Sequence, residues 1–256
     1  MAGSAWCAYL VNLDRSTARR DRAERELEKE SVPFVRFPAI DALDVSDETI
    51  AAHLGPCDEP SFKRALIRAE IACFLSHRAV WREIADGDAE MAFVFEDDVQ
   101  FVDGAGRVLH EIAGREPEWD ILRLHSNKPR RLMDRKALVH GYETGTVLKP
   151  PALTIGYAIT RPAAAQLLKT TQIICRPLDM ELKLWWKHGL CTRVISPSIC
   201  GPNEDAQATS TIEPGRATLS KRHRVRRMFA NLKYQVASNL LVWRNRRKQP
   251  ANRQYF

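Results

Sequence analysis

Apolar positions along the chain alternate between the continuous runs of buried strands and the three-and-four spacing of helices. Trp6–Leu13 is an apolar run of strand length. Asp14 is placed to cap the charged stretch Ser16–Glu30, whose acids and bases lie three and four apart, and Val32–Phe37 forms a second short strand. Arg64–Ile84 sets Leu66, Ile71, Phe74, Leu75, Val80 and Trp81 at helical spacing. Met91–Phe95 is unbroken apolar and stops at Glu96-Asp97-Asp98, the pattern of a parallel strand covered on both faces. Farther on, Asp120–Leu124, Leu153–Thr160 and Cys191–Ile195 read as strands. Pro162–Lys169 reads as a helix opened by proline, and Leu178–His188 as a helix ended by Gly189. The alternation predicts an α/β fold with a mostly parallel sheet.

Composition narrows this only slightly. A chain of 256 residues, 45% hydrophobic and 28% charged, can bury a real core in one large domain or two small ones, which excludes disorder, collagen and coiled coil for the whole. The N-terminus lacks the basic lead and apolar stretch of a signal peptide, and no window approaches the ~20 apolar residues of a membrane span. The expectation is a protein that is soluble or sits on a surface. Six scattered cysteines with no C-x-x-C pair predict buried, reduced thiols in a cytosolic protein rather than a zinc site or disulfide framework.

Charge changes the picture more. The formal net charge is +7, but residues 216–256 hold twelve Lys and Arg and no acid, leaving 27 basic against 32 acidic residues in 1–215, a net of −5. The chain divides into an acidic body, 1–215, and a basic tail, 216–256. Within the tail Phe229, Leu232, Val236, Leu240 and Trp243 recur three or four apart among the arginines, the pattern of a helix lying in a membrane surface. The alternative is a helix packed on the body with a solvated basic face. Nucleic acid is not the expected partner, because the charge is confined to an appendage and no recognition motif accompanies it.

Three consecutive carboxylates at the end of a buried strand repel one another unless a cation or backbone amides compensate. Ligands of open α/β sheets bind at the carboxyl ends of strands. Glu96-Asp97-Asp98 therefore suggests a Mg²⁺ or Mn²⁺ site facing a phosphate ligand; alternatively the acids cap the next turn and face water. A Walker motif is missing, and Gly104-Ala105-Gly106 lacks the third glycine of a dinucleotide fingerprint.

Several blocks together resemble glycosyltransferase family 25, which includes lipopolysaccharide glycosyltransferases and collagen galactosyltransferases. They are Val11-Asn12-Leu13-Asp14-Arg15 with Arg19-Arg20, Pro38-Ala39-Ile40-Asp41-Ala42, Ala69-Glu70 through Ser76-His77, the strand into Glu96-Asp97-Asp98, Gly156 through Arg161, Pro177-Leu178-Asp179, and Gln207 with Ser210-Thr211-Ile212. Ala42 and Ala69 stand where the family more often has glycine. The resemblance implies a GT-A-type nucleotide-sugar fold, an inverting transferase and a UDP-hexose donor.

In that frame Asp98 is the first metal ligand and Asp97 the next, also counted as catalytic. Glu96 orients the nucleotide or a metal-bound water. Ser76 and His77 become donor-site candidates, where a histidine in an apolar helix would otherwise be a core residue. Asn12, Arg15 and Arg19 follow the first strand, where a nucleotide's base and phosphates are expected, and Asp41 belongs with them unless it is a turn residue. Asp179, at a helix start, is the candidate base for the acceptor hydroxyl, or else a carboxylate favoured by the helix dipole. Of Trp185 and Trp186, which cannot both face the core, one is a candidate stacking platform for an acceptor sugar. The polar loop of Gln207, Ser210 and Thr211 is placed to close over the site.

The resulting expectation is a metal-dependent transferase moving galactose or glucose from a UDP-sugar to a lipopolysaccharide core or similar lipid-linked glycan. It would work in the cytoplasm of a Gram-negative bacterium, held on the anionic inner face of the inner membrane by the tail. A catalytically inactive nucleotide-sugar-binding protein on the same fold is the alternative.

Overall fold

The computed structural model describes residues 6–56, 65–203, 236 and 239–245. The first unit is β1 (Trp6–Asn12), α1 (Thr17–Lys29), β2 (Val35–Pro38), α2 (Asp47–His53), α3 (Arg68–Asp86) and β3 (Met91–Glu96). There follow β4 (Val99–Phe101), α4 (Ala105–Ala113), β5 (Ile121–Arg123), the hairpin β6 (Met133–Ala137) and β7 (Glu143–Thr146), β8 (Gly156–Thr160) and α5 (Arg161–Thr170). The short helices α6 (Leu178–Glu181) and α7 (Trp185–His188) precede β9 (Thr192–Ser196) and β10 (Cys200–Pro202).

Eight strands make one sheet in the order β2-β1-β3-β8-β5-β9-β7-β6. β1 pairs in parallel with β2 and β3, and β5 with β9; β8 and β7 run against the other six. The predicted α/β sheet, mostly of one strand direction, is present. β3 sits centrally because it is apolar throughout: Met91, Phe93 and Phe95 enter one core and Ala92 and Val94 the other. Each large side chain so buried contributes ~1.5–3 kcal/mol. The second core is closed by α3, which turns Ile71, Phe74, Val80 and Trp81 onto the sheet, and by α5.

Several local expectations need correction. Asp14 caps nothing: it pairs with Arg36, and the α1 N-cap is Ser16, whose side chain makes no capping bond. The single helix expected over Leu178–His188 is two four-residue helices, α6 and α7, joined through Leu182–Leu184; Gly189, at φ +67°, does end the second. Gly104-Ala105-Gly106 opens α4, a helix the spacing of Val108, Leu109 and Ile112 could have revealed. Gly104 is its N-cap at φ +82°, and the Gly104 and Gly106 amides donate to the Glu30 carboxylate. A Cβ at Gly106 would lie 1.9 Å from the Glu30 carbonyl oxygen, so this glycine serves close packing. Of the cysteines, Cys7, Cys73, Cys191 and Cys200 are free as expected, but Cys175 is disulfide-bonded, against the reading of reduced thiols; Cys57 lies outside the described residues.

Candidate functional site

The sheet registers Val11 beside Glu96 and Asn12 beside Pro38, so the carboxyl ends of β1, β2 and β3 form one edge. Beside that edge, between α1 and α3, lies an open cleft of about 810 Å³ including its mouth. Of the sequence-picked residues, Asn12, Arg15, Arg19, Ser76, His77, Glu96, Asp97 and Asp98 all line it. Asp41 does not; it is turned to Arg15, its guanidinium partner, and accepts the Leu43 amide at 3.0 Å. Those two donors hold the Asp41 carboxyl below its usual value.

The three carboxylates have different surroundings. Asp97 is fully engaged: Oδ2 accepts from Asn12 Nδ2 at 2.7 Å and Oδ1 from Arg19 Nε at 2.9 Å. Asn12 is itself fixed, donating also to the Ser16 carbonyl and accepting from Arg36. Arg36 was not anticipated as part of the site.

Glu96 is held by the Thr154 hydroxyl and faces His77 Nε2 at 3.5 Å. Behind it runs a buried relay. Trp81 Nε1 donates to the Tyr157 hydroxyl at 2.9 Å, leaving the Tyr157 proton for His77 Nδ1, also at 2.9 Å. In the tautomer with Nδ1 accepting from Tyr157, His77 Nε2 carries the ring proton on the side of Glu96. Burial would raise the Glu96 pKa, but His77, Thr154 and the nearby charge of Arg123 more than offset it, and the net direction is down. Arg123, wholly buried on β5 with Cζ 6.0 Å from the Tyr157 ring centroid, donates to the Leu153 carbonyl. Leu153 sits at φ +70°, and its neighbour Thr154 carries the Glu96 bond. Arg123 and Thr154 carried no sequence signal, because each is an isolated polar residue among apolar neighbours; Tyr157 lay in a family block but was given no role.

Asp98 is the outlier. Its Oδ1 is buried with no partner, and its pKa is pushed up to about 7 by burial and by Glu96, Arg19 only partly opposing. A buried carboxylate oxygen lacking a donor fits a cation. Among the described residues no three His, Cys, Asp or Glu converge to hold a metal.

Ser76 has a structural task besides lining the cleft: its Oγ accepts the Ile40 amide and donates to the Ala72 carbonyl, both at 2.8 Å. Asp179 opens α6, which packs on α3, and its charge reaches Cys73 together with those of Glu96 and Asp98. Asp179 itself does not line the cleft, whereas Cys73 does. Trp185 is buried, and Trp186 is half-buried with its indole Nε1 unpartnered. Gln207, Ser210 and Thr211 lie outside the described residues.

The family model described as glycosyltransferase family 25 (LPS biosynthesis protein) matches residues 7–182. The chain belongs to glycosyltransferase family 25. A glycosyltransferase 25 family member of Aedes aegypti is 29% identical over 168 residues, 63% of this chain and 27% of that protein. Procollagen galactosyltransferase 1-A of Xenopus laevis is 28% identical over 191 residues, covering 70% of this chain and 31% of its own. Procollagen galactosyltransferase 2 of Mus musculus is 28% identical over 168 residues, 62% and 27% respectively. The chain thus spans less than a third of the length of these relatives. The residues matched by the family model include the cleft, since 7–182 run from β1 to just past α6.

Proposed function

We propose that the chain is an inverting, GT-A-type glycosyltransferase that moves a hexose from a UDP-sugar to a glycan hydroxyl. The observation that carries this is the cleft itself, where Asn12, Arg19, His77 and the three carboxylates meet at the carboxyl ends of β1 and β3. Galactose is the first donor sugar to test, since two of the relatives are named as galactosyltransferases. A lipopolysaccharide core or similar lipid-linked glycan is the proposed acceptor, in keeping with the family description.

Asp98 would hold Mn²⁺ or Mg²⁺, whose charge there offsets that on the leaving diphosphate. Arg15 and Arg19 stand at the mouth for phosphate oxygens, and Asp97 fixes the Arg19 guanidinium from below. Glu96, held by Thr154 and His77, takes a ribose or sugar hydroxyl. Asp179, in the first turn of α6, is the base that takes the acceptor's proton. UDP release from UDP-galactose and UDP-glucose, with and without Mn²⁺, tests the reading. If no nucleotide hexose is turned over while UDP still binds, the inactive binding protein is the better description.

The basic tail is proposed to hold the enzyme on an anionic leaflet. In support, Val236, Leu240 and Trp243, spaced four and three apart, are 50%, 61% and 61% exposed, while Val242 and Asn245 turn inward. No helix among the described residues is long and apolar enough to cross a membrane. The cytoplasmic face is the proposed location. The disulfide at Cys175 weighs against it, and counting free thiols in chain isolated from cells under alkylating conditions decides between the two.

A further inference from the structure

A second cavity lies between α4 and the β6–β7 hairpin and shares no lining residue with the cleft. It is open, with a volume of about 830 Å³ including its mouth. Ile112 of α4, Trp119 and Leu122 of β5 give it an apolar wall and belong to the same buried core as Phe93. Arg193 of β9 and Thr144 of β7 line it as well, and both are buried. Arg193 is only 3% exposed, and burial, the largest influence, lowers its pKa. Every bond it makes is nevertheless to a neutral oxygen: Nε donates to the Thr144 hydroxyl at 3.3 Å, and Nη2 to the Thr144 carbonyl at 3.1 Å and to the Asp134 carbonyl.

The second terminal amino group, Nη1, bonds to nothing among the described residues, and it is not sealed from solvent, so it faces the cavity that its side chain lines. A guanidinium stays charged when buried, and no carboxylate among the described residues pairs with this one. Its free donors match the plane of a carboxylate or the oxygens of a phosphate. The rim is otherwise balanced, since Lys136 pairs with Glu118 and Arg115 with Glu111. Glu116 is the exception: it lines the mouth, is exposed and bonds to nothing among the described residues. A bare anion entering here meets that negative charge, whereas a ligand that also carries hydroxyls donates to it. Trp119, 6% exposed, adds ring surface and an indole N–H that makes no hydrogen bond among the described residues.

We infer that this cavity binds a sugar bearing a carboxylate or phosphate, such as a hexuronate or hexose phosphate unit, with the anion on Arg193, hydroxyls on Glu116 and the ring against Trp119. It is a carbohydrate site separate from the cleft at the ends of β1 and β3, and it does not rest on the transfer reading above. The guanidinium selects charged over neutral sugars, and the carboxylate at the mouth selects sugars over simple anions.

The test uses the full chain and calorimetry with methyl glucuronide, glucose 6-phosphate, methyl glucoside and inorganic phosphate, so that no turnover is needed. One or both charged sugars should bind about tenfold or more tightly than methyl glucoside and than inorganic phosphate. Equal binding of neutral and charged sugars overturns the inference, as does inorganic phosphate binding as tightly as the charged sugars. Arg193→Met should abolish the preference for charged sugars, whereas Arg19→Gln, in the cleft, should leave it intact; the reverse pattern overturns the inference by moving the sugar into the cleft. Because Arg193 also ties β9 to the hairpin, Glu116→Ala, at an exposed position without a partner, supplies an independent reading. It should weaken the charged sugars about fivefold while leaving or strengthening inorganic phosphate, and charged sugars that bind it as well as wild type overturn the arrangement. Transfer from UDP-hexoses is scored separately, so either reading can fail without the other.

Discussion

Two carboxylates, Asp98 and Glu181, illustrate opposite uses of burial. Glu181 is 1% exposed and held by two cations and a histidine: Oε2 accepts from Arg176 at 2.8 Å, Oε1 from Lys187 at 2.6 Å, and His188 Nε2 is 3.4 Å away. Burial would raise its pKa, but these partners bring it down to about 2. Asp98 is half-buried with one oxygen lacking a partner, the charges of Glu96 and Asp97 together with burial outweigh that of Arg19, and its pKa goes up to about 7. Burial is common to both, so the sign of the neighbours decides the outcome. The first arrangement locks the turn that carries Asp179 against α5 and α7, and the second leaves a charge deficit for a ligand to fill.

The largest effect expected from this contrast is structural. Glu181→Ala leaves Arg176, Lys187 and His188 without their carboxylate and should cost about 3–5 kcal/mol of stability, read by chemical denaturation. A loss below about 1 kcal/mol would mean that the cluster is not the lock described. Asp98→Asn should do the reverse, keeping or raising stability while transfer from a UDP-hexose falls about 10²–10³-fold. Undiminished transfer would remove Asp98 from the chemistry.

Next is packing beside the site. Gly106→Ala forces a Cβ into the Glu30 backbone and should cost about 1–3 kcal/mol, with the Kd of UDP unchanged because α4 lies away from the cleft; a shift in that Kd would show that α4 and the cleft are coupled.

The last effects are those of pH, and their signs are opposite. The folded pKa of Asp98 is raised, so its contribution is fully present below about pH 4, its unfolded value, and is lost as pH rises through about 7. Wild type should therefore lose stability relative to Asp98→Asn across that window. The folded pKa of Glu181 is depressed, so its contribution is present above about pH 4.5 and lost as pH falls toward 2. Wild type should then lose stability relative to Glu181→Gln on acidification. Denaturation midpoints of the three proteins from pH 3 to 8 test both signs, and parallel curves would dissolve the contrast.

The two clusters were not equally legible. The acidic triplet stands out because three carboxylates interrupt an apolar run, and Asn12, Arg19 and His77 follow from family blocks in fixed order. The Glu181 cluster was folded into a supposed single helix, whose amphipathic spacing hid the break at Leu182–Leu184. Ionic partners have no period, so Arg176 and His188 gave no sign of meeting Glu181. The hairpin β6–β7 escaped for a similar reason, since β6 is exposed along its whole length and lacks the apolar alternation of a half-buried strand.

By itself the sequence determined what depends on neighbours within a few residues. The apolar run of β3, the helical stripe of α3 and the proline that opens α5 are local facts, because strand and helix periods act over one or two turns. Tertiary structure decided which charges are answered. Asp97 meets Asn12 across 85 positions and Arg19 across 78, and Glu96 meets Thr154 across 58. Side chains so far apart come within hydrogen-bonding distance only once the sheet has set β1, β3 and β8 side by side. Whether a carboxylate is locked, as in Glu181, or left wanting a partner, as in Asp98, is therefore a property of the assembled fold.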